Sequence, residues 1–444
     1  DFATLRLRQP SFAYVDKTQF LVDLVDEEDQ HFLARPRRFG KSLLVDTIKC
    51  IFMENGPQKD KMFEGLDITK SEAGQKLLKM ELPVVHLKLH LCEAKQGVET
   101  LMNAINFRLL EAAEQNGVYG VQPVERDVGT TLSRVIKAIR SKHNDKRVVF
   151  LVDEYDSPIT QVLETNGGGV DERVKNNLEV LRSLYTTCKG IASRNFHYSF
   201  YTGVSRFAST SMFSGSNQLD DVSFSPQVAS IVGFTESEVE TYFAEYVSLL
   251  ATGNASLAEL AQLYGGHRFA YPAEELLNPW SLLNRFKQEG RGEAPMDQWR
   301  TQTPRWASKM LDEKKIPEVL KALATWKPLA DFVSISVDSF EQLSIGDRIA
   351  LLQQTGYLSI REMKDMDSDP QVRLLVPNRE VQNDFWRKTL NPANVSEGNE
   401  VLNELFKALR SSTLEDVTVV IDKMNKLSPW ATLTVKAPEL QQLI

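Results

Sequence analysis

Glycine, lysine and serine stand in succession at Gly40, Lys41 and Ser42. This triplet ends the G-x-x-x-x-G-K-[ST] pattern of a phosphate-binding loop, in which backbone N–H groups and a helix N-terminus bind anionic oxygens. The lysine reaches the β- and γ-phosphates of a nucleoside triphosphate, and the serine hydroxyl binds Mg²⁺. Arginine occupies position 35, where the general pattern has its first glycine. The predicted nucleotide-binding residues of this loop are Arg35, Pro36, Arg37, Arg38, Phe39, Gly40, Lys41, Ser42 and Leu43.

A second group that could do chemistry follows an apolar run later in the chain. Val148 to Val152 lead directly into Asp153 and Glu154. A buried strand would deliver Asp153 at its carboxyl end, where the carboxylate can hold Mg²⁺ through water. Glu154 would then polarise the attacking water. The alternative is a pair of carboxylates that cap a strand end in solvent, but the phosphate loop upstream favours the nucleotide site.

Several polar residues are candidates for contacting the γ-phosphate. Thr202 follows the strand-like segment Tyr198–Tyr201, and we predict that it senses the γ-phosphate and positions water. Arg206 or Arg268 could place a guanidinium on the γ-phosphate, either in cis or across a subunit interface. Arg37 and Arg38 in the loop are alternatives, and the sequence leaves open which of these arginines is functional and which is structural.

Strands and helices alternate through the first half of the chain. After Lys41, apolar residues fall at i, i+4, i+7 and i+8, which is one face of a helix. The alternation predicts an α/β fold, a parallel sheet with helices on both faces. The predicted strands are 84–89, 147–152, 196–202 and 228–232, together with a short one at 32–34, and the predicted helices after the first are 98–115, 130–143 and 172–188.

Beyond about residue 234 the pattern becomes mainly helical, with two strands near Tyr357–Ile360 and Val372–Val376. Helices followed by a two-stranded hairpin are typical of a winged-helix-like module. The predicted domains are a P-loop ATPase core (1–233), a helical lid (234–285), a winged-helix-like module (286–395) and C-terminal helices (396–444).

Composition limits the classes of function that fit. The net charge of −8, from 60 acidic and 52 basic side chains, argues against bulk nucleic-acid binding but leaves room for a local basic face. The chain contains no apolar run of about 18 residues, the length needed to cross a bilayer, so we expect no membrane association. Three widely separated cysteines indicate a reducing compartment, which predicts an intracellular protein, either cytoplasmic or nuclear.

The chain resembles the AAA-ATPase-like family, whose members often carry a C-terminal region similar to PD-(D/E)XK nucleases. Motifs typical of that family occur in the family's order across residues 10–290. They are Tyr14–Thr18, the Arg35–Ser42 loop, Leu151–Pro158, Thr202–Phe207, Phe213–Asn217, Gly233–Glu236, Tyr264–Phe269 and Asn278–Ser281.

The resemblance implies an ATPase of the additional-strand class, in which one strand lies between the phosphate-loop strand and the Asp-Glu strand. By position, Lys41, Ser42, Asp153 and Glu154 take the corresponding roles of the family. The arginine at position 35 looks like the family's own variant of the loop. The resemblance also implies ATP as the nucleotide, a choice that the residues alone leave open.

Two further expectations come from the family motifs. Within the Tyr14–Thr18 motif, we predict that Tyr14 and Asp16 help to form the adenine pocket. The segment 396–444 is predicted to be the start of a truncated nuclease-like region. It has no Asp followed by Glu-x-Lys after residue 400, so we expect no nuclease activity from these residues.

Together these features predict Mg²⁺-dependent ATP binding and hydrolysis that drives a conformational switch of an attached effector or a bound partner. Nucleic acid is the candidate partner, and a homo-oligomer is the candidate assembly. The alternative is a nucleotide-gated binding or assembly module with little turnover. In that module ATP stabilises one conformation, and Glu154 does not determine the rate.

Overall fold

The chain forms two compact units, Asp1–Leu257 with Ser334–Gln342 and Ala258–Val333 with Leu343–Ile444. The predicted C-terminal helices of 396–444 lie outside the described residues. Within the described ranges, no helix is long and apolar enough to cross a membrane. The structure, a computed structural model, describes residues 1–8, 12–25, 29–165, 170–207, 219–252, 256–293, 298–299, 303–304, 306–307, 326–333, 335, 343–364 and 369–389.

A parallel five-stranded sheet forms the centre of the first unit. Its strands are β1 (Gln30–Ala34), β2 (Val84–Lys88), β3 (Val148–Asp153), β4 (Phe196–Gly203) and β5 (Leu219–Asp221). They lie in the order β2-β3-β4-β1-β5 and are all parallel. Every residue of β3 is buried, as expected of a parallel strand covered on both sides. Strand β4 therefore lies between β1, which precedes the phosphate loop, and β3, which ends in Asp153.

Helices connect these strands, because parallel neighbours need crossover connections. The predicted helix 98–115 is confirmed with the same bounds, and that at 130–143 is confirmed with ends that differ by one or two residues. The helix predicted at 172–188 is confirmed but is longer, and it continues to Asn195. The helices of this unit are α1 (Phe2–Leu7), α2 (Gln19–Leu24), α3 (Lys41–Ile51), α4 (Pro57–Phe63), α5 (Glu72–Leu78), α6 (Val98–Gln115), α7 (Val128–Lys142), α8 (Ser157–Leu163), α9 (Val170–Asn195), α10 (Glu236–Tyr242) and α11 (Ala244–Thr252).

The prediction of a strand at 228–232 was wrong. The fifth strand is β5, and a 3-10 helix at Pro226–Val228 followed by turns occupies the predicted position. Ile231 and Val232 are buried, so their apolar character reflects packing of a turn against the core. A short apolar run does not by itself distinguish these two arrangements.

The second unit contains helices and a small antiparallel sheet. The hairpin predicted from Tyr357–Ile360 and Val372–Val376 is confirmed, because β7 and β8 pair antiparallel and β6 adds a third strand beside β8. The elements are α12 (Leu257–Tyr264), α13 (Pro279–Glu289), β6 (Lys327–Pro328), α14 (Ala330–Val333), α15 (Ile345–Gln354), β7 (Ser359–Lys364), β8 (Gln371–Leu375) and α16 (Arg379–Thr389).

Candidate functional site

The loop from β1 to α3 has the backbone geometry of an anion cradle. Arg38 and Gly40 both have positive φ, of 69° and 104°, so the handedness of the chain changes repeatedly before the helix begins. Such alternation makes successive N–H groups converge on one point. A Cβ on Gly40 would meet nothing within 4 Å, so backbone conformation rather than space favours glycine there.

Lys41, the first residue of α3, is folded over this loop. Its Nζ donates hydrogen bonds to the carbonyl oxygens of Arg35 and Pro36, each at 2.9 Å. Burial lowers the pKa of Lys41, and the negative charges of Glu154, Asp153 and other nearby carboxylates oppose that shift. The ammonium is therefore within electrostatic reach of the carboxylates at the end of β3.

The carboxylate of Asp153, at the end of β3, faces the start of α3. Burial raises the pKa of Asp153, whereas a hydrogen bond with Ser42 and the charge of Lys41 lower it. The Oδ1 atom of Asp153 is buried and has no hydrogen-bond partner in the part of the chain that the structure describes. A buried carboxylate oxygen without a partner is costly, and a bound cation or its water would satisfy it.

Glu154 lies directly beyond β3 in a conformation that is uncommon for a residue with a side chain. Its φ is 54°, in the left-handed region, and its side chain is half-buried. The N–H of Ser157 donates to the Glu154 carbonyl at 2.9 Å and closes the turn. Non-glycine residues keep such conformations where surrounding contacts hold them, commonly at functional sites.

Thr202 lies near the end of β4, opposite Leu33 of the strand that leads into the phosphate loop. It is fully buried, and its Oγ1 has no hydrogen-bond partner among the described residues. Its carbonyl oxygen accepts the N–H of Tyr155 at 2.9 Å. The structure thus places Thr202 between the loop strand and the Asp-Glu strand, with an unsatisfied hydroxyl.

The ligand set at this site fits Mg²⁺ better than a transition metal. Among the described residues, no group of three or more His, Cys, Asp and Glu could hold a metal ion. Mg²⁺ is usually bound by one or two carboxylates together with phosphate oxygens and water. Ser42 and Asp153, which lie close enough for the serine to lower the pKa of the carboxyl, supply oxygen atoms of that kind.

The side chain of Arg35 is directed into the first unit, and nucleotide binding by this residue stays a prediction. Its guanidinium is buried and donates from Nη1 to the carbonyl oxygens of Ala34 and Ser223, each at 2.8 Å. Burial lowers the pKa of Arg35 to about 9, while the charge of Asp221 opposes the shift. The guanidinium therefore anchors the loop to the segment after β5, and no local pattern reveals that distant partner.

Arg206 is also held inside the unit rather than extended toward a nucleotide. Its guanidinium is buried, forms an ion pair with Asp221 and lies 5.7 Å from the ring centroid of Phe32. Burial lowers the pKa of Arg206, and the Asp221 charge counteracts that effect. The structure therefore gives Arg206 an internal partner, so its predicted contact with the γ-phosphate would require this ion pair to break.

Replacing Arg206 with alanine should destabilise the protein by about 3–5 kcal/mol, because it leaves the buried Asp221 charge without that partner. Replacing both members, as Arg206→Met with Asp221→Leu, should recover much of the loss. Denaturant unfolding of the single and double variants measures both effects. A single variant as stable as wild type would contradict this structural role.

The other three arginine candidates have different surroundings. Arg37 is half-buried and forms an ion pair with Glu164 at 3.2 Å, and Arg38 in the same loop is exposed. Arg268 belongs to the second unit, where it donates to the carbonyl of Arg361 at 2.8 Å and to Glu275 at 3.1 Å.

The Tyr14–Thr18 motif makes a series of structural contacts. One oxygen of Asp16 accepts from Thr18, and the other accepts the N–H of Asp67 at 2.6 Å. Lys17 pairs with Glu238, which belongs to the capping box of α10. The carboxylate of Asp16 is thus engaged within the protein, and the adenine pocket stays a prediction.

Tyr14 contacts the helix that carries the phosphate loop lysine. Burial raises the pKa of the Tyr14 hydroxyl, although a hydrogen bond with Thr47 of α3 partly offsets the effect. Its ring packs edge-on against Phe2, with centroids 5.2 Å apart. Tyr14 therefore lies beside α3, so it joins the segment before β1 to the phosphate-loop helix.

Comparison with known proteins agrees with this geometry. A family model described as predicted AAA-ATPase matches residues 1–213, which include the phosphate loop, both carboxylates of the β3 end and Thr202. The chain belongs to this predicted AAA-ATPase family. Family membership indicates an ATP-dependent activity and the use of a nucleotide.

A curated relative extends the similarity beyond the matched region. The protein described as "Uncharacterized protein in vnfD 5'region" of Azotobacter chroococcum mcd 1 is 30% identical over 394 residues. The aligned part covers 86% of this chain and 67% of that protein. The similarity to this relative therefore includes residues of the second unit.

Sequence reasoning assigned no role to four residues that shape the site. Tyr155 and Asp156 directly follow Glu154, and both lie in the Leu151–Pro158 motif, which could have drawn attention to them. Asp221 and Ser223 hold the two buried arginines, Arg35 through the Ser223 carbonyl and Arg206 through an ion pair. Nothing in the local sequence identifies those two residues.

Proposed function

We propose that this AAA-ATPase family member binds ATP with Mg²⁺ and hydrolyses the γ-phosphate. The observation that carries the proposal is that Asp153 at the end of β3 lies beside Lys41 and Ser42 at the start of α3. Ser42 and Lys41 both lie close enough to Asp153 to lower the pKa of its carboxyl. Because a triphosphate and its ion need all three groups at one point, this convergence supports the proposed site.

Each residue has a defined task in the proposal. The loop N–H groups and Lys41 bind the β- and γ-phosphates, and the oxygens of Ser42 and Asp153 hold Mg²⁺. When bound, Mg²⁺ neutralises phosphate charge that develops during transfer. Glu154 orients and polarises the attacking water, and the unsatisfied Thr202 hydroxyl hydrogen-bonds to the γ-phosphate or that water.

Replacing Asp153 with asparagine should lower the Mg²⁺ affinity of the nucleotide-bound site by about tenfold to a hundredfold, which is the typical cost of removing a carboxylate that acts on a metal through bound water. Asparagine keeps the shape but loses the charge that attracts the ion. Nucleotide affinity measured across a Mg²⁺ titration tests this. Asp60→Asn is the control, because Asp60 is exposed on α4. An unchanged titration for the Asp153 variant would contradict its metal role.

The wider architecture supports assignment to the additional-strand class, because β4 lies between β1 and β3. We further propose that 234–285 acts as a lid over the nucleotide and that 286–395 is winged-helix-like. The ion pair between Lys17 and Glu238 holds α10 to the segment before β1, so the helix at the start of the proposed lid would stay attached to the first unit. The lid would close on ATP and open after hydrolysis.

Steady-state turnover measured with ATP and GTP, with and without DNA or RNA, tests this function directly. We expect Mg²⁺-dependent ATP hydrolysis, and stimulation by a nucleic acid would support it as the partner. A size measurement in the presence of nucleotide tests for a homo-oligomer. Absence of hydrolysis under all of these conditions would contradict the enzymatic proposal.

A nucleotide-gated module with little turnover is the second candidate function. Arg35 and Arg206 are both occupied by partners inside the first unit, so neither supplies a guanidinium that extends toward a γ-phosphate. ATPases without such an arginine turn over slowly until one is supplied. Tight ATP binding with negligible turnover would favour this candidate.

A further inference from the structure

Asp156 is a buried carboxylate for which the proposed ATP site has no assigned use. It follows Glu154 by two residues and has 2% of its surface exposed. Its Oδ2 accepts the N–H of Val204 at 3.1 Å and the N–H of Ser205 at 2.8 Å. Both donors directly follow β4, the strand that carries Thr202. One oxygen of Asp156 thus binds two consecutive amides at the end of the neighbouring strand.

Tyr155 strengthens the same connection from the adjacent position. Its N–H donates to the Thr202 carbonyl at 2.9 Å, and its hydroxyl donates to the Ser205 carbonyl at 2.6 Å. The hydroxyl also accepts the N–H of Phe207 at 3.0 Å. The turn after β3 is therefore bonded to the segment after β4 through both main-chain and side-chain atoms.

The two segments are packed so closely that glycine is required between them. A Cβ on Gly203 would lie 2.5 Å from the ring of Tyr155 and 2.7 Å from Oδ1 of Asp156. Glu154 just upstream has a φ of 54°, which its neighbours must maintain. Tyr155 and Asp156 directly follow Glu154 in this turn. Their contacts with the end of β4 and the residues after it hold the turn in place.

We propose that Asp156 is a positioning residue for ATP hydrolysis, which holds the turn bearing Glu154 against the end of the strand bearing Thr202. This inference rests on the proposed function, because it concerns the geometry of that reaction. The water-polarising carboxylate and the γ-phosphate-sensing hydroxyl then keep a constant separation. Such precision matters, since a displacement of about 1 Å in an active site can cost about a hundredfold in rate.

The hydrogen bonds of Asp156, rather than its charge, carry this role. Both N–H groups bind the same oxygen, so the amide oxygen of asparagine can accept both bonds. Burial raises the pKa of Asp156 to about 6, and the nearby Glu154 charge adds to the effect, while the amides and Lys41 oppose it. The charge is therefore costly in this position, and asparagine should replace the carboxylate without disrupting the turn.

The variants Asp156→Ala and Asp156→Asn distinguish the effect of the two hydrogen bonds from the effect of the charge, because alanine removes both and asparagine removes only the charge. Loss of the bonds in the alanine variant should lower kcat for ATP hydrolysis by about a hundredfold and leave the ATP KM within about threefold. The asparagine variant should retain most of kcat. Asp127→Asn is a matched control, because Asp127 also accepts a backbone N–H, that of Thr130 at 2.9 Å, but caps α7.

Gly203→Ala provides a second route if the alanine variant does not fold. Its Cβ should displace the Tyr155–Asp156 turn and reduce kcat while ATP binding persists. The inference is overturned if the wild type hydrolyses ATP and the Asp156→Ala variant has a normal kcat. If that variant does not fold, a normal kcat of the Gly203→Ala variant overturns the inference in the same way. It is also overturned if kcat, ATP affinity and thermal stability fall together without recovery in the asparagine variant. Absence of wild-type hydrolysis would overturn both this inference and the proposed function.

Discussion

Replacing Glu154 with glutamine is expected to lower ATP turnover by about 10²- to 10⁴-fold while Mg²⁺-dependent ATP binding persists. Glutamine has the shape of glutamate but cannot take a proton from the attacking water. Glu154 directly follows the fully buried strand β3 and is itself half-buried, so its side chain is partly accessible to solvent. Its left-handed backbone is held by neighbouring residues, so the turn should survive the substitution.

Steady-state hydrolysis and equilibrium binding of a nucleotide, measured on the same preparations, separate the possible outcomes. Glu111→Gln is a suitable control, because Glu111 pairs with Arg108 on the surface of α6. A Glu154 variant with wild-type turnover would contradict its role as the base. Negligible turnover in wild type, together with tight ATP binding, would instead favour the nucleotide-gated module.

Replacing Lys41 with alanine should reduce ATP affinity by at least about a hundredfold, because a hydrogen bond to a charged group contributes about 1.5–3 kcal/mol and the lysine is expected to make more than one. Its Nζ now bonds to two loop carbonyls, at Arg35 and Pro36, and would turn toward phosphate oxygens when ATP binds. Its removal also leaves the carboxylates of Asp153 and Glu154 without their nearest counter-charge, which opposes binding of an anionic ligand.

Equilibrium binding of ATP, with thermal unfolding as a check on the fold, measures this effect. Lys61→Ala on α4 is a matched control, because Lys61 is exposed. Burial lowers the pKa of Lys41, so its ammonium should lose the proton at a lower pH than an ordinary lysine does. As the pH rises, ATP affinity of the wild type should therefore begin to fall earlier than it would with an ordinary lysine at this position. A Lys41 variant that still binds and hydrolyses ATP would remove the phosphate-loop assignment.

Sequence reasoning located Lys41 and Asp153 correctly in the fold. Lys41 begins a helix directly after a strand, and Asp153 ends a buried strand, as predicted. These features are local, because a glycine before a helix, an apolar run and a polar residue at the end of that run can each be recognised within a few positions of the sequence. The position of each group in its own element was therefore accessible from the sequence.

The hydrogen-bond and ion-pair partners of charged side chains were harder to predict from the sequence, as the arginines show. Arg35, Arg206 and Arg268 were all candidates for a phosphate contact, yet each has partners that its sequence neighbours do not reveal. The hydrogen bond from Arg35 to the Ser223 carbonyl spans 188 positions. The fifth strand was missed for a related reason, because Leu219–Asp221 is short and acidic and gains strand structure by pairing with β1.

The amino-acid sequence by itself determined where a phosphate loop, an Asp-Glu pair and their flanking elements occur, because helix and strand periodicities and turn residues act over a few positions. Tertiary structure alone decided that β4 lies between β1 and β3, and that Asp156 bonds to Val204 and Ser205. It also decided that Arg35 and Arg206 are buried. Those outcomes depend on which surfaces pack together, and burial then selects the partner that each charge requires.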